Sequence, residues 1–190
     1  MAGRRRESYA ERRERRAAVD DPAVVLDAAA RFLEARSRSV TEVRRRLTTA
    51  GYRPDLVEGA ITRLAELGML DDEAFARAWV ESRDRARPRG ERAIRDELRI
   101  KGIDRDVTDA VLAERRSAAA DEAPDRSAAE RLLARNARAL ARVADPRGRR
   151  QRAYALLARS GFDPETCREV AAAHVADAAA SDEDAEETVD

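Results

Sequence analysis

The residues of this chain best equipped for chemistry are its arginines, which are concentrated in three basic zones. Residues 131–159 contain nine arginines and one acid, a net charge of +8. Residues 31–53 contain seven arginines and two glutamates, and residues 83–101 contain eight bases and four acids. The 190-residue chain is formally neutral only because residues 177–190 carry seven acids and no base. The positive charges within each zone repel one another, and a polyanion would relieve that repulsion. The zones therefore predict a polyanionic partner.

The most basic zone has the spacing of a single helical stripe. On one continuous helix, its arginines at i, i+4, i+7 and i+11 form a line about 16 Å long. No acid at helical spacing offsets their repulsion, so the phosphates of DNA are the expected counter-charge. The stripe consists of Arg131, Arg135, Arg138 and Arg142. The other residues predicted to contact DNA or a phosphate-bearing filament are Arg44, Arg45, Arg46, Arg83, Arg87, Arg92, Arg95, Arg99, Lys101, Arg149, Arg150 and Arg152.

The same arginines allow a second interpretation, a solvated surface. Their charges would then pair with carboxylates of the chain itself, such as Asp96, Glu97 or the acids of residues 177–190. The acidic C-terminal segment is also expected to compete with DNA for the basic surface, because their charges are opposite and nearly equal.

The sequence does not predict an enzyme. It contains no Gly-x-x-x-x-Gly-Lys phosphate loop, and its only cysteine, Cys167, lies seven residues before its only histidine, His174. On a helix that separation is about 10 Å. Cys167 is therefore expected to be a small buried hydrophobe. The acidic run 71–73 is typical of a helix start rather than a metal or acid–base site. We predict no catalytic residue, no metal and no cofactor.

Six aromatic side chains have the chemistry to stack on bases of single-stranded DNA, but their spacing favours core packing. Phe75 and Trp79 lie at i, i+4 among apolar neighbours, and Tyr52 and Phe162 each follow a glycine. Trp79 is the side chain most suited to be an exception. The six are Phe32, Tyr52, Phe75, Trp79, Tyr154 and Phe162.

The elements that must position these side chains are predicted to be helices throughout. Charged residues make up 40% of the chain and aromatic residues 4%, and the hydrophobic 43% is rich in alanine. No stretch alternates as a strand would, so an elongated all-α protein is favoured. No apolar run approaches the roughly 18 to 20 residues that cross a bilayer, and a single cysteine suits a reducing cytoplasm.

One local motif occurs three times along the chain. A leucine stands four residues before a glycine that is followed by a large apolar residue, at Gly51, Gly102 and Gly161. This pattern is typical of a helix that ends at a left-handed glycine, and a new helix start follows each copy. The intervals of 51 and 59 residues predict three tandem three-helix repeats, although a single nine-helix fold fits the same pattern.

Helix-start signals and helix-breaking residues along the chain set the predicted boundaries. Helices are expected to start at Asp21-Pro22, at capping boxes Ser39–Glu42 and Ser127–Glu130, and after a break at Asp145-Pro146. Both tails are expected to be mobile and the linker to be a hinge. The predicted segments are a basic tail at 1–20, repeats at 21–69, 70–114 and 127–176, a linker at 115–126 and an acidic tail at 177–190.

Three stretches of the chain resemble a known family. Residues 64–83 read LAELGMLDDEAFARAWVESR and residues 92–103 read RAIRDELRIKGI. Together they are similar to the central signature of the RecX regulators of the recombinase RecA. Residues 139–162, with Asp145-Pro146 and the third glycine motif, resemble the C-terminal repeat of that family. The resemblance covers about residues 24–176 and leaves out both tails.

The resemblance implies a non-enzymatic protein of three three-helix repeats that lies in the groove of the RecA nucleoprotein filament. It implies inhibition of strand exchange, ATP hydrolysis and coprotease activity in DNA repair and the SOS response. The implied partners are the RecA filament and single-stranded or double-stranded DNA. We expect a cytoplasmic monomer that does not associate with membranes.

Two other functions fit the residues. The chain could be a sequence-independent DNA-binding protein or a helix-turn-helix transcription factor that acts without RecA. The chain has few side chains suited to reading base edges, because Asn136 is its only asparagine and Gln151 its only glutamine. A structural adaptor that uses its charged tails to bridge partners is the third possibility.

Overall fold

The protein is all-α, as predicted. A computed structural model describes residues 7–118 and 123–187, with side chains to residue 177, and over these ranges it contains eleven helices and no strand. Residues 1–6, 119–122 and 188–190 lie outside the description, and with them parts of both predicted tails and of the linker. The helices are α1 (Tyr9–Ala17), α2 (Pro22–Glu34), α3 (Val40–Ala50), α4 (Pro54–Glu66), α5 (Asp72–Ala86), α6 (Glu91–Ile100), α7 (Arg105–Ala118), α8 (Pro124–Arg135), α9 (Ala137–Ala141), α10 (Pro146–Arg159) and α11 (Pro164–Glu187).

The chain forms two compact units, and the division between them runs within α5, α6 and α7. The first unit is Met1–Ala76 with Arg99–Val107, and the second is Arg77–Leu98 with Thr108–Asp190. The helices follow the order of a three-helix repeat array, with α2–α4, α5–α7 and α8–α11 as successive sets. The residue boundaries of the three repeats stay a prediction.

The first unit is held together by the apolar faces of α2, α3 and α4. The helices start where local signals predict, because Asp21 accepts a hydrogen bond from the Ala23 amide and Ser39 forms a capping box with Glu42. Burying a valine, leucine or isoleucine side chain stabilises a fold by about 1.5–3 kcal/mol. The buried residues are Val25, Ala29, Val43, Leu47, Val57, Ala60, Ile61, Leu64 and Leu70.

The N-terminal segment is not the mobile tail that was predicted, since residues 9–17 form α1. Ser8 and Glu11 make a capping box at its start, and the Tyr9 hydroxyl donates to the Thr49 carbonyl at 3.0 Å. Hydrophobic patterning misses α1 because the helix buries none of its residues. Capping and polar contacts to the end of α3 position it.

The apolar core of the second unit lies between α8, α10 and α11. Cys167 is completely buried in it, as predicted, and burial raises the pKa of its thiol. The buried members are Ala128, Ala129, Leu133, Leu140, Ala153, Leu157, Phe162, Cys167, Val170 and Ala171.

The predicted hinge is tied down at both ends by one buried guanidinium. Arg115 on α7, with 5% of its side chain exposed, binds Asp84 at 2.8 Å and Asp125 at 2.6 Å. Asp125 also accepts a hydrogen bond from the Glu91 amide at 2.9 Å. Sequence composition alone suggests mobility here because it does not show that Arg115 has two carboxylate partners.

One predicted helix start of the third repeat is wrong. Ser127 is not an N-cap, since α8 starts one turn earlier at Pro124, whose fixed φ suits the first helical position. At the other end, α11 has a helical backbone as far as Glu187 and so extends into the segment predicted to be a mobile acidic tail, because its alanine-rich sequence contains no glycine or proline after Pro164. The predicted shielding by the acidic side chains of 178–190 concerns residues whose side chains lie outside the description.

The recurring glycines end helices and allow close packing, as the repeated motif predicts. Gly102 has φ 76°, and a Cβ added there would overlap the Thr41 side chain. Gly161 has φ 85°, and its Cβ would overlap Ala93. Each glycine therefore permits both a left-handed turn and a close approach within its own unit.

Candidate nucleic-acid interface

The predicted contacts of the first basic zone lie on α3, and only some of them face solvent unpaired. Arg44 holds Glu58 through two hydrogen bonds of 2.6 and 2.8 Å, which lower the pKa of that carboxyl group. The guanidinium of Arg46 lies 5.6 Å from the ring centre of Phe32. Arg45 is exposed. The second interpretation, a solvated surface whose charges pair with carboxylates of the chain, therefore holds for Arg44.

Lys101 also serves the fold of the first unit. Its Nζ lies 2.9 Å from Oε1 of Glu42, which also accepts from Arg36 at 3.0 Å. Burial raises the pKa of Glu42, but hydrogen bonds from Arg36, Lys101 and the Ser39 amide outweigh burial and lower it to about 2. Glu42 is thus charged at neutral pH, and Lys101 balances it.

Arg83, in the second zone, forms a compact cluster with an aromatic and an acid. Its Nε lies 2.6 Å from Glu97, and its guanidinium lies 4.4 Å from the ring centre of Trp79. The indole N–H of Trp79 donates to the same carboxylate at 2.8 Å. Cation–π contact and charged hydrogen bonds stabilise this arrangement, so the cation covers the aromatic side chain singled out for base stacking.

The predicted line on α6 is not uniform. Arg95 pairs with both Asp109 and Glu91, and the hydrogen bond that it donates to Asp109 raises the pKa of its guanidinium. Arg92 and Arg99 are exposed. Arg87, at the end of the preceding helix, is exposed too. Half-buried Arg95 is therefore a structural residue, while the side chains of Arg87 and Arg92 have no carboxylate partner among the described residues.

The predicted continuous stripe of the third zone is wrong. Helix α8 ends at Arg135, Asn136 leaves helical geometry with φ −105° and ψ 7°, and α9 begins at Ala137. The Asn136 amide donates to the Leu132 carbonyl at 2.8 Å, a local hydrogen bond that competes with the helix. Arg135 is used within the fold, since it donates to the carbonyls of residues 85 and 86 at the end of α5.

The remaining arginines of the third zone nevertheless present a strongly basic surface. Within the described residues none of them makes an ion pair with a carboxylate, and Arg149 alone makes a hydrogen bond, to the Val143 carbonyl at 3.1 Å. Among the predicted contacts of this zone, the exposed ones whose side chains have no described hydrogen bond or ion pair, here called the free arginines, are Arg131, Arg138, Arg142, Arg150 and Arg152.

A pocket of about 460 Å³ lies between α10 and α11, here called the α10–α11 pocket. Sequence reasoning missed Arg147 and Arg168 as members of this site. Arg147 could have been identified from the sequence, because it lies three, four and seven residues before the other α10 residues that line the pocket. Arg168 could not, because nothing in the sequence indicates which face of α11 packs against α10. Its lining residues are Arg147, Arg150, Gln151, Tyr154, Arg168 and Ala171.

The acidic run at the start of α5 works as a helix cap, as predicted. Asp71 accepts hydrogen bonds from the amides of Glu73 and Ala74 at 2.8 and 2.9 Å. Asp72 caps a different helix, since it accepts from the Val40 amide at 2.9 Å. Burial raises the pKa of Asp72.

The aromatic side chains lie mostly in the apolar cores, as predicted. Phe75 and Phe162 are 5% and 3% exposed. Phe32 and Tyr52 pack against the core of the first unit, and Tyr154 packs against that of the second while its remaining surface lines the α10–α11 pocket. No helix in the described ranges combines the length and the apolar character needed to cross a bilayer.

Known proteins resemble this chain in both sequence and fold. Residues 26–64 match the family model for the first three-helix domain of RecX, and residues 71–112 match that for the second. The regulatory protein RecX of Mycobacterium avium (strain 104) is 35% identical over 77% of this chain and 82% of its own length. That of Mycobacterium leprae (strain Br4923) is 37% identical with the same coverage.

A solved structure shows the same fold. The crystal structure of RecX from Lactobacillus salivarius matches with a TM-score of 0.67 at 20% identity, over 80% of this chain and 94% of that one. The sequence identity of the mycobacterial relatives over most of their length, together with the two domain matches, carries the assignment. The chain belongs to the RecX family of regulatory proteins.

Proposed function

We propose that this protein regulates a RecA-type recombinase by binding its nucleoprotein filament. In this proposal it inhibits ATP hydrolysis, strand exchange and coprotease activity in DNA repair and the SOS response. Membership of the RecX family supports the choice of partner. The observation that carries the proposal is the group of free arginines in the third zone.

Free guanidinium groups favour phosphates as ligands. A guanidinium offers paired N–H donors that match two phosphate oxygens, and an arginine without an internal carboxylate breaks no ion pair when it binds. Arg44, Arg83, Arg95 and Lys101 must each give up or share a carboxylate first. The proposal therefore places the main phosphate contacts in the third repeat, with Arg45, Arg46, Arg87 and Arg92 as secondary contacts.

A DNA-binding protein that acts without RecA is the second candidate. The free arginines favour it equally, because phosphate contacts carry no sequence information. Sequence-specific readout has less support, since the Asn136 amide is already bonded to the Leu132 carbonyl. We include in the first proposal that the protein acts in the cytoplasm as a monomer, without a cofactor and away from membranes.

Titration of the cognate RecA separates the two candidates. DNA-dependent ATP hydrolysis by RecA filaments is measured while this protein is added well below one copy per RecA protomer. Loss of hydrolysis at that ratio is the expected result. Unchanged hydrolysis, together with tight binding to free DNA, would support the second candidate instead.

A further inference from the structure

The α10–α11 pocket is built from one face of each helix. On α10, Arg147, Arg150 and Tyr154 lie at i, i+3 and i+7 and therefore point to the same side. On α11, Arg168 and Ala171 lie one turn apart. The volume of about 460 Å³ falls within the range of small-ligand sites.

Charge is sorted around α11 so that this pocket is basic. Arg147, Arg150 and Arg168 are exposed and have no hydrogen bond or ion pair from their side chains among the described residues. Helix α10 contains no acid in its sequence. The acids Glu165 and Glu169 of α11 line a different pocket, toward α8. An anionic ligand would thus meet three guanidinium groups, and no carboxylate is among the described residues that line the pocket.

The rest of the lining calls for more than a simple anion. Tyr154 is half-buried and packs against the core of the second unit, so its ring has a fixed support. Gln151 is exposed and adds an amide that can both donate and accept hydrogen bonds. A ligand that combines phosphate with a flat, hydrogen-bonding ring matches all of these groups.

We propose that the α10–α11 pocket holds one nucleotide of a single-stranded nucleic acid, with its phosphates on the three arginines and its base against Tyr154. The inference rests on the proposed function and names the single strand as the form of DNA bound. In a duplex the bases are stacked on each other, so their faces cannot reach Tyr154, whereas an unpaired base stacks readily on an aromatic ring.

A comparison of two oligonucleotides tests the base contact. Fluorescence anisotropy measures the affinity of the full chain for a labelled 12-residue oligothymidylate and for an abasic 12-mer with the same phosphates. Stacking on one aromatic residue predicts at least about fivefold tighter binding of the oligothymidylate. Equal affinity for the two strands would overturn the proposal.

Variants assign the difference to the pocket. Tyr154→Leu is expected to remove the preference for oligothymidylate while leaving the affinity for the abasic strand within about twofold. Arg150→Glu is expected to weaken binding of both strands. Arg159→Glu makes the same charge change on α10 outside the pocket and is expected to keep the preference. Retention of the full preference by Tyr154→Leu would contradict the assignment.

A crosslinking measurement covers the case in which Tyr154→Leu does not fold. Oligonucleotides with 5-iododeoxyuridine are irradiated with the unmodified protein, and the attached peptide is identified by mass spectrometry. Attachment within the pocket is expected, and attachment confined to other segments would refute it. Inhibition of RecA ATP hydrolysis is measured with the same preparations to distinguish the two proposals. Inhibition without base-dependent binding would contradict the pocket assignment and leave the proposed regulation of RecA intact.

Discussion

The basic zones of the first two repeats differ from that of the third in what their charges face. At least four of the nine predicted contacts in the first two zones, Arg44, Arg83, Arg95 and Lys101, form ion pairs with carboxylates. In the third, none of the seven predicted arginines does so among the described residues. A run of arginines in a sequence therefore indicates a phosphate-binding surface only when its internal partners are known.

The difference separates two roles for the same residue type. A paired arginine is expected to affect stability when it is replaced, with little effect on DNA binding. A free arginine is expected to do the opposite.

The largest effect is expected at Arg115, the most buried of the paired arginines. Arg115→Ala leaves Asp84 and Asp125 without their cation, and breaking such a buried network costs about 3–5 kcal/mol. Urea denaturation of both proteins measures the loss. Arg116→Ala is the control, because Arg116 is exposed and its ion pair with half-buried Glu91 is worth about 1 kcal/mol or less. Equal losses for the two variants would contradict the account.

Glu42 predicts a dependence of stability on pH. Its pKa is near 2 in the folded protein against an ordinary 4.5, so its contribution is complete above pH 4.5 and disappears as the pH falls through about 2. The shift corresponds to about 3 kcal/mol. The free energy of unfolding, measured from pH 6 to 2, is expected to fall less steeply for Glu42→Gln than for the unmodified protein. Parallel curves would rule out this role for Glu42.

The free arginines predict a change in salt dependence. Replacement of Arg138, Arg150 and Arg152 by glutamine, here called the free-arginine variant, removes three proposed phosphate contacts. On single-stranded DNA, the slope of log affinity against log salt is expected to become shallower by about 2, and affinity at low salt to fall about tenfold or more. Anisotropy titrations between about 50 and 200 mM salt provide the values. An unchanged slope would mean that these residues do not contact phosphates.

The smallest effect is expected at Arg44. Its ion pair with Glu58 is exposed on both sides, so the coupling energy from a double-mutant cycle with Arg44→Ala and Glu58→Ala is expected below about 1 kcal/mol. DNA affinity of Arg44→Ala is expected to change by less than about twofold. A loss as large as that of the free-arginine variant would show that the carboxylate partner does not occupy Arg44 in solution.

Local sequence signals predicted most helix ends correctly. Asp21-Pro22, the Ser39–Glu42 box and the glycine of each repeat depend only on residues within one or two turns, and all act as expected. α1 escaped prediction because it has no apolar stripe to detect, and the Asn136 break escaped because one short amide contact decides it.

The candidate site depended on contacts that local patterns do not contain. Lys101 and Glu42 are 59 residues apart, and Arg115 and Asp84 are 31 apart, so neither pair can be read from helical spacing. Arg168 becomes part of a site only because α11 packs against α10. Total charge was predictable, but its availability to a partner required the fold.

Inhibition of RecA by two matched variants tests the contrast between free and paired arginines most directly. The free-arginine variant loses three positive charges, and replacement of Arg63, Arg77 and Arg116 by glutamine removes three exposed charges that are paired with Glu66, Glu114 and Glu91. The concentration that halves RecA ATP hydrolysis is expected to rise about tenfold for the first variant and less than about twofold for the second. Equal rises for both would show that net charge, rather than freedom from internal carboxylates, determines binding to the filament.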